Sequence, residues 1–409
     1  MIIITGKYSN AIVYTHNIEE ESIFQLTELC NQEFTKGSKI RIMPDVHFGK
    51  GCSIGTSMTI QDKIVANLVG VDIGCGMLTV ELGSINLDLP TIDNCIRNNI
   101  PHGFNINKEP KTNFKDKIES LKCFRNIPKS AKEYNRALGS LGGGNHFLEI
   151  NIDNDNNKYL VIHSGSRNLG NQIARYYQDK AIDYHSGLDY DYEAKRETMI
   201  NTYKEQGKRK EIQKALETLK KEYIRKECKM PKDLCYLEGS LKNEYLYDMG
   251  IAQEYANKNR EIIALRIIRE CLELDFDKLN KFQTIHNYID LNNNILRKGA
   301  ISAQKDEKVL IPINMRDGSI IAIGRGNPEW NYSAPHGAGR IMSRSKAKET
   351  FLLEDYQETM KDIYTTSVNR STLDECPMAY KPIEEIIENI KDTVEIVNII
   401  KPIYNFKSN

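Results

Sequence analysis

Eight histidines occur in 409 residues, and five of them stand among glycine, asparagine, serine or proline: Pro44-Asp45-Val46-His47, Gly144-Asn145-His146, His163-Ser164-Gly165-Ser166, His286-Asn287 and Pro335-His336-Gly337. Any one alone reads as a surface or core histidine. Five together read as a site, because loops on a rigid scaffold carry function and glycine lets the backbone approach a metal or phosphate closely. Beside them, Val69-Gly70-Val71-Asp72-Ile73-Gly74-Cys75-Gly76 presents a carboxylate and a thiol three residues apart. With His146, His163 and His286 they make an O/N/S donor set suited to one or two divalent transition ions such as Mn²⁺, Zn²⁺ or Fe²⁺, whereas Mg²⁺ or Ca²⁺ alone would want oxygens. Read instead as a small buried hydrophobe, Cys75 leaves the glycines around it unexplained.

Three more clusters have the makings of phosphate sites. Gly139-Ser140-Leu141-Gly142-Gly143-Gly144-Asn145 offers backbone N–H groups, Ser164-Gly165-Ser166-Arg167 adds hydroxyls and a guanidinium, and Gly337-Ala338-Gly339-Arg340 is expected to open a helix whose first amides favour anions. None is a Walker A loop or a dinucleotide-binding glycine motif. Together with the donor set they imply a phosphate-handling metalloenzyme.

These side chains need a scaffold. Ile40 to about Val161 alternates short β-branched runs with glycines, predicting strands at Ile40–Met43, Val65–Ile73 and Met77–Glu81. Residues 171–275 nearly lack glycine and are rich in helix formers with i,i+4 charge pairs, which predicts a helical insertion. The basic excess of Lys208–Lys229 could touch a phosphate backbone, although a solvated helix face accounts for it more simply. Strands are expected again at Val309–Ile313 and Ile320–Gly326, and helices at Ser345–Tyr364 and Ile383–Ile400. The fold class is α+β, a mixed α/β catalytic domain of several sheets flanked by helices over 1–409, with the insertion at 171–275 inside it.

Lys+Arg and Asp+Glu both number 56, so the global basic excess of a coat-like nucleic-acid binder is absent. Hydrophobic residues at 40% and charged residues at 27% exclude disordered and collagen-like classes. No apolar run approaches a membrane span, and Met1–Gly6 lacks a basic segment and a cleavage site, so neither a membrane nor a secreted protein is expected. Nine scattered cysteines without a C-x-x-C pair are expected as reduced thiols in a cytoplasmic protein.

The runs Met-Pro-Asp-Val-His-Phe-Gly-Lys-Gly (43–51), Val-Gly-Val-Asp-Ile-Gly-Cys-Gly-Met (69–77), Leu-Gly-Gly-Gly-Asn-His-Phe-Leu-Glu (141–149), His-Ser-Gly-Ser-Arg (163–167), Ser-x-x-His-Gly-Ala-Gly-Arg-x-Met-Ser-Arg (333–344) and Met-Ala-Tyr-Lys (378–381) resemble the RtcB family of RNA ligases, in the family's order across essentially the whole chain. The resemblance implies joining of an RNA 3′-phosphate or 2′,3′-cyclic phosphate to a 5′-hydroxyl, with GTP and two Mn²⁺ ions, in tRNA splicing and RNA repair. It implies His336 as the nucleophile that takes GMP covalently, with Asp45 orienting its ring. It further implies Asp72, Cys75 and His146 as ligands of one manganese and Cys75, His163 and His286 as ligands of the other. Asn145 then contacts the α-phosphate, Arg167 belongs to the nucleotide-phosphate contacts, Phe147 and Tyr380 stack on guanine, and Glu149 and Lys407 read its edge. The expected partner is RNA with those ends, with room for an activating protein, and the chain is expected as a monomer.

One departure stands out. Where many members carry Pro-Gly-Ser-Met-Gly, this chain has Pro312-Ile313-Asn314-Met315-Arg316-Asp317-Gly318-Ser319. Weaker GTP binding is expected, with Arg316 available to a phosphate. The region 190–230 also looks particular to this chain, so RNA preference does not carry over. The competing readings are a metal-dependent cyclic-phosphate phosphodiesterase on the same scaffold and a non-catalytic RNA-binding relative.

Overall fold

Two antiparallel-rich sheets meet at the loops singled out above, in a computed structural model that describes residues 1–187, 192–222 and 227–408. The first sheet has six strands in the order Ile2–Thr5, Asn10–Val13, Ile40–His47, Ile54–Thr59, Ile295–Lys298 and Asn287–Asp290. The second runs Lys308–Asn314, Gly318–Gly324, Val394–Lys407, Phe147–Ile152, Lys158–Ser164, Gly76–Gly83 and Lys281–Ile285, with Tyr364–Thr365 pairing alongside Val394–Lys407. A short ladder of Ala300–Ser302 against Ser333–Pro335 stands apart from both. The fold is mixed α/β, as the alternation of runs and glycines predicts.

Several local expectations change. Val65–Ile73 is not a strand: Ala66–Val69 forms one buried helical turn, ended by Gly70 at φ +101°, because a short apolar run has no period that separates strand from helix. Gly337–Arg340 does not open a helix, which begins instead at Arg344 behind a Ser343 cap. The predicted helix Ser345–Tyr364 is two short ones, Arg344–Thr350 and Leu353–Thr359. Ile383–Ile400 is helical only over Ile383–Ile390; Val394–Lys407 is a long strand, as its β-branched residues favour.

Between 171 and 275 the described residues form helices Leu169–His185, Tyr192–Glu205, Ile212–Glu222 and Gly239–Arg266. Residues 188–191 and 223–226 of the predicted insertion lie outside the described residues. The first and last of these helices pack on each other, and Gly239–Arg266 lies against strands Gly76–Gly83 and Lys158–Ser164. Its Ile262 and Ile263 join core clusters beneath the sheets. The expectation of nine reduced thiols is corrected, since Cys95 and Cys271 are joined in a disulfide across 176 residues. Spacing could not show that pair, because packing of helix Leu89–Asn99 against Ile267–Cys271 creates it. Among the described residues, no helix is long and apolar enough to cross a membrane.

Candidate active site

Strand register gathers the donor residues. In the second sheet Gly76 pairs with both Ser164 and Ile285, and Phe147 pairs with His163. Cys75 precedes Gly76, His286 follows Ile285 and His146 precedes Phe147, so antiparallel pairing brings all four donors to one end of four adjacent strands. His163 is thus a strand residue, as is His47, the last residue of Ile40–His47; neither lies in the loop its neighbours suggested.

The Cys75 Sγ stands 3.3 Å from Nε2 of His146 and 3.3 Å from Nε2 of His163. These three donors lie within 4.8 Å of one another and are buried. Ligands held about 2.0–2.3 Å from one transition ion in tetrahedral or octahedral array stand roughly 3–3.6 Å apart, so the spacing fits a metal. Asp72 Oδ2 reaches His146 Nε2 at 3.2 Å, while its Oδ1 accepts from Ser166 N and Oγ at 3.0 and 2.8 Å. The His286 ring sits 5.3 Å, centre to centre, from His163 and 4.7 Å from His336, beside the tight trio rather than within it. Two glycines are required by close approach. A Cβ on Gly165 would fall 2.1 Å from Asp72 Oδ2, and one on Gly142 would fall 2.0 Å from His146 Nδ1.

The electrostatics prepare these ligands for a cation. Burial and the neighbouring imidazoles hold His163 and His286 well below the ordinary histidine range, so both are neutral and have lone pairs to give. Burial and the Asp72 carboxylate push the Cys75 thiol up. For Asp72, burial works to raise the carboxyl, but His146 and the Ser166 hydrogen bonds outweigh it and keep the group ionised. His163 is oriented by its Nδ1, 3.1 Å from Asn145 O.

A cavity of about 460 Å³ opens from this cluster, lined by Asn145, Phe147, Glu149, His163, His336, Tyr380 and Lys407 among others. His336 follows the short ladder at Ser333–Pro335, and Asp45 comes from the first sheet, so the pair ties that ladder to the first sheet. Asp45 Oδ2 lies 2.6 Å from His336 Nδ1. Glu149, buried beside Asn405, accepts from Asn405 Nδ2 at 2.7 Å, and burial pushes its carboxyl up to about 7. Lys407 pairs with Phe147 in the strand ladder and holds its Nζ 5.7 Å from that ring. Arg167 does not line this cavity: its Nε donates to Ser140 Oγ at 2.9 Å and its Nη2 to Gly103 O at 2.7 Å.

Residues that the sequence did not mark complete the site. Glu375 accepts from Lys407 Nζ at 2.7 Å and from Tyr380 Oη at 2.8 Å, and lies 2.8 Å from Arg344 Nη1. Burial works to raise its carboxyl, but Lys407, Arg344 and Arg340 outweigh that and hold it well below the usual range. Arg260, wholly buried on helix Gly239–Arg266, donates from Nη1 to Gly74 O and Ser164 O at 2.8 and 2.9 Å, beside two of the ligands. Its neighbour Asn259 ties Gly139, Ser140, Ser164 and Gly165 together. The departure at 312–319 is a hairpin in which Asn314 Oδ1 accepts from Arg316 N and Asp317 N at 3.0 and 2.9 Å. Arg316 does not turn to the cavity; it is paired with Asp317 at 2.7 Å.

A family model described as tRNA-splicing ligase RtcB matches residues 25–408. The chain is similar to the RNA-splicing ligase RtcB of Escherichia coli K12, 30% identical over 399 residues that cover 89% of this chain and 88% of that protein. It is also similar to the tRNA-splicing ligases RtcB of Aeropyrum pernix (26% over 475 residues, 92% and 90% covered) and Methanococcus maripaludis (25% over 472 residues, 92% and 89% covered).

Proposed function

This chain belongs to the RtcB family of RNA-splicing ligases, and from that premise we propose that it joins RNA 3′-phosphate or 2′,3′-cyclic phosphate ends to 5′-hydroxyl ends with GTP and Mn²⁺, through a covalent histidine–GMP. The observation that carries the reading is the Asp45–His336 pair at the mouth of the donor cluster, inside a cavity lined by Phe147, Glu149, Tyr380 and Lys407. Because Asp45 takes the proton-bearing Nδ1, the lone pair is left on His336 Nε2, the nitrogen free to act as nucleophile.

His336 Nε2 attacks the α-phosphorus of GTP; an N–P bond forms, the bond to the β-phosphate oxygen breaks and pyrophosphate leaves. A 2′,3′-cyclic end is first opened by water, whose oxygen bonds to phosphorus as the bond to O2′ breaks and the 2′-hydroxyl takes the proton; the RNA 3′-phosphate oxygen then takes the guanylate from His336, which regains its lone pair. The 5′-hydroxyl attacks the activated 3′-phosphate, loses its proton, and GMP departs. Activation is needed because a phosphate oxygen is a poor leaving group until it belongs to an anhydride. Asp72, Cys75 and His146 would hold one ion and Cys75, His163 and His286 the other, supplying Lewis-acid charge neutralisation to the phosphates. Asn145 contacts the α-phosphate, Phe147 and Tyr380 hold the base between them, and Glu149 and Lys407 read its edge.

The two carboxylates of the base pocket have separate tasks. Glu375 fixes Lys407 and Tyr380, while Glu149, held near neutrality by burial, can accept from the guanine edge in its ionised form. RNA is the partner, cytoplasmic action as a monomer is part of the proposal, and an activating protein is compatible with it. The test is incubation with labelled GTP and Mn²⁺ followed by mass spectrometry. One GMP adduct on His336, absent in His336→Ala, is expected; an adduct that persists in the variant removes His336 from the reaction.

A further inference from the structure

A second cleft, of about 640 Å³, adjoins the nucleotide cavity and shares Arg344 and Glu375 with it. Its lining carries four cations, Lys129, Arg167, Arg344 and Lys348, against two carboxylates, Asp374 and Glu375. Those carboxylates are engaged by Arg344 and Lys348. Among the described residues neither Lys129 nor Arg167 makes an ion pair, so the cleft keeps net positive charge. Gly143 and Gly144 lie in the same lining, with open space where a side chain of Gly143 would be and only the Arg344 guanidinium, at 3.9 Å, near that of Gly144, so their backbone is within reach of a ligand.

Phe104 also lines this cleft and is fully exposed. A single exposed aromatic is ordinary on a protein surface. This one is carried by a turn that is held from several sides. Gly103 takes φ +64°, Asn105 N donates to His102 O at 3.1 Å, and the His102 ring packs edge-on to Phe406 with centres 5.2 Å apart. Arg167, two residues beyond the Asp72 contact Gly165, clamps the turn by donating from Nη2 to both Gly103 O and Asn105 O. The chain therefore carries an exposed aromatic ring on a fixed turn, beside two cations that form no ion pair among the described residues, next to the cavity where the ends would be joined. Stacking face plus positive groove is the combination that holds single-stranded nucleic acid without reading its sequence.

We propose that this cleft receives the single-stranded RNA adjoining the end to be joined, with a base stacked on Phe104 and backbone phosphates beside Lys129, Arg167 and Lys348. The proposal rests on the ligase reading above, and it adds the path of the RNA and a residue that positions it. Phe104 is a positioning residue, since it touches no reacting atom.

The experiment measures binding of a labelled single-stranded oligoribonucleotide bearing a 3′-phosphate to the full chain by fluorescence anisotropy, with self-guanylylation by GTP run in parallel. Phe104→Ala and Phe104→Leu should each raise the RNA Kd roughly 5- to 50-fold, and Phe104→Trp should return it to within about twofold of the parent. Lys129→Gln should weaken binding and reduce its dependence on salt. Guanylylation reads the neighbouring cavity, which Phe104 does not line; its loss in Phe104→Ala would overturn the separation of the two sites. An unchanged Kd in Phe104→Ala would also overturn the proposal, as would full binding by Phe104→Leu, which would mark an apolar contact for a protein instead of a stacking face. Absence of guanylylation in the unaltered chain would count against the ligase reading, while the anisotropy series would still decide the cleft.

Discussion

Asp45 Oδ2 accepts three contacts from one short segment: His336 Nδ1 at 2.6 Å, His336 N at 3.0 Å and Gly337 N at 3.2 Å. One buried oxygen thereby fixes the ring, its tautomer and the backbone that carries it. Gly339 allows this closeness, because a Cβ there would lie 2.3 Å from Asp45 O.

Asp45→Asn should therefore separate chemistry from folding. The asparagine oxygen can still accept from the two backbone N–H groups, so the melting temperature should move little. Standing where Oδ2 stands, that oxygen can also keep Nδ1–H, but the neutral amide no longer stabilises the positive charge that grows on the ring as Nε2 attacks. Guanylylation should fall on the order of 10²- to 10⁴-fold, the scale seen when a carboxylate that sets a catalytic tautomer is neutralised. Rapid-quench measurement of the first turnover checks it; a rate within a few-fold of the parent would show that the charge on Asp45 does not matter here.

The metal centre makes a prediction about pH. Burial and Asp72 keep the Cys75 thiol protonated at neutral pH, whereas His163 and His286 are already neutral there. A cation that recruits Cys75 must displace its proton. Binding should release about one proton per chain, and affinity should rise about tenfold for each pH unit between 6 and 8. Isothermal titration in buffers of different ionisation enthalpy reads the proton count. Cys75→Ala should lose both the proton release and most of the bound Mn²⁺. Mg²⁺ should not substitute, since the set is too rich in nitrogen and sulfur for it. Equal Mn²⁺ content in Cys75→Ala would make the thiol a packing residue.

What was legible in the sequence divides along a physical line. Asp72, Cys75, His146, His163 and His336 announce themselves because each has a glycine within two residues in an otherwise ordinary composition, and close backbone approach leaves that mark, whereas His286 shows only the asparagine beside it. Glu375, Asn259 and Arg260 leave none. Glu375 belongs to a short 3₁₀ helix, and its meaning comes from Lys407, which strand pairing with Phe147 brings to it. Asn259 and Arg260 lie on a helix in a stretch dominated by charged residues, where two further polar side chains look like more solvated face until the helix is seen packed against the ligand strands. The disulfide Cys95–Cys271 was hidden for the same reason, as tertiary packing alone makes the pair.

Glu375 tests the base pocket. It is ionised and buried among Lys407, Arg344 and Arg340, with its carboxyl depressed to about 2 from an ordinary 4.5. A depressed carboxyl stabilises the fold above its unfolded value, and that contribution is lost as pH falls from about 4.5 toward 2. Glu375→Gln leaves Lys407 buried without its counter-charge and should cost about 3–5 kcal/mol. The variant should lose the acid transition in that window, and chemical denaturation from pH 2.5 to 6 reads both effects. A variant as stable as the parent at pH 6, with the same acid limb, would mean that the ion pair is energetically idle.

The hairpin at 312–319 bears on GTP use. Ile313 is packed into the cluster formed with Ile311, Ile320 and Ala338, and it still lines the nucleotide cavity. Asn314 is committed to the turn, accepting from Arg316 N and Asp317 N and donating to Asp317 Oδ2 at 2.8 Å. Arg316 is held by Asp317, so recovery of affinity through an Arg316–phosphate contact is not expected. Replacing Ile313 by glycine removes a buried branched side chain and should cost about 2–5 kcal/mol of stability, so Asn314→Ser alone is the cleaner probe of the polar contact. Serine keeps one acceptor for the turn amides but cannot donate to Asp317 as the amide does. Freed from that bond, Asp317 leaves Arg316 as its sole partner in the turn, and the loop gains freedom to approach a nucleotide. The GTP KM for guanylylation should then fall by roughly three- to tenfold with little change in maximal rate, the worth of one neutral hydrogen bond of about 0.5–1.5 kcal/mol. A KM that rises, or a switch of preference from GTP to ATP, would show that Asn314 itself contacts the base and that the turn bonds are not what limits nucleotide binding.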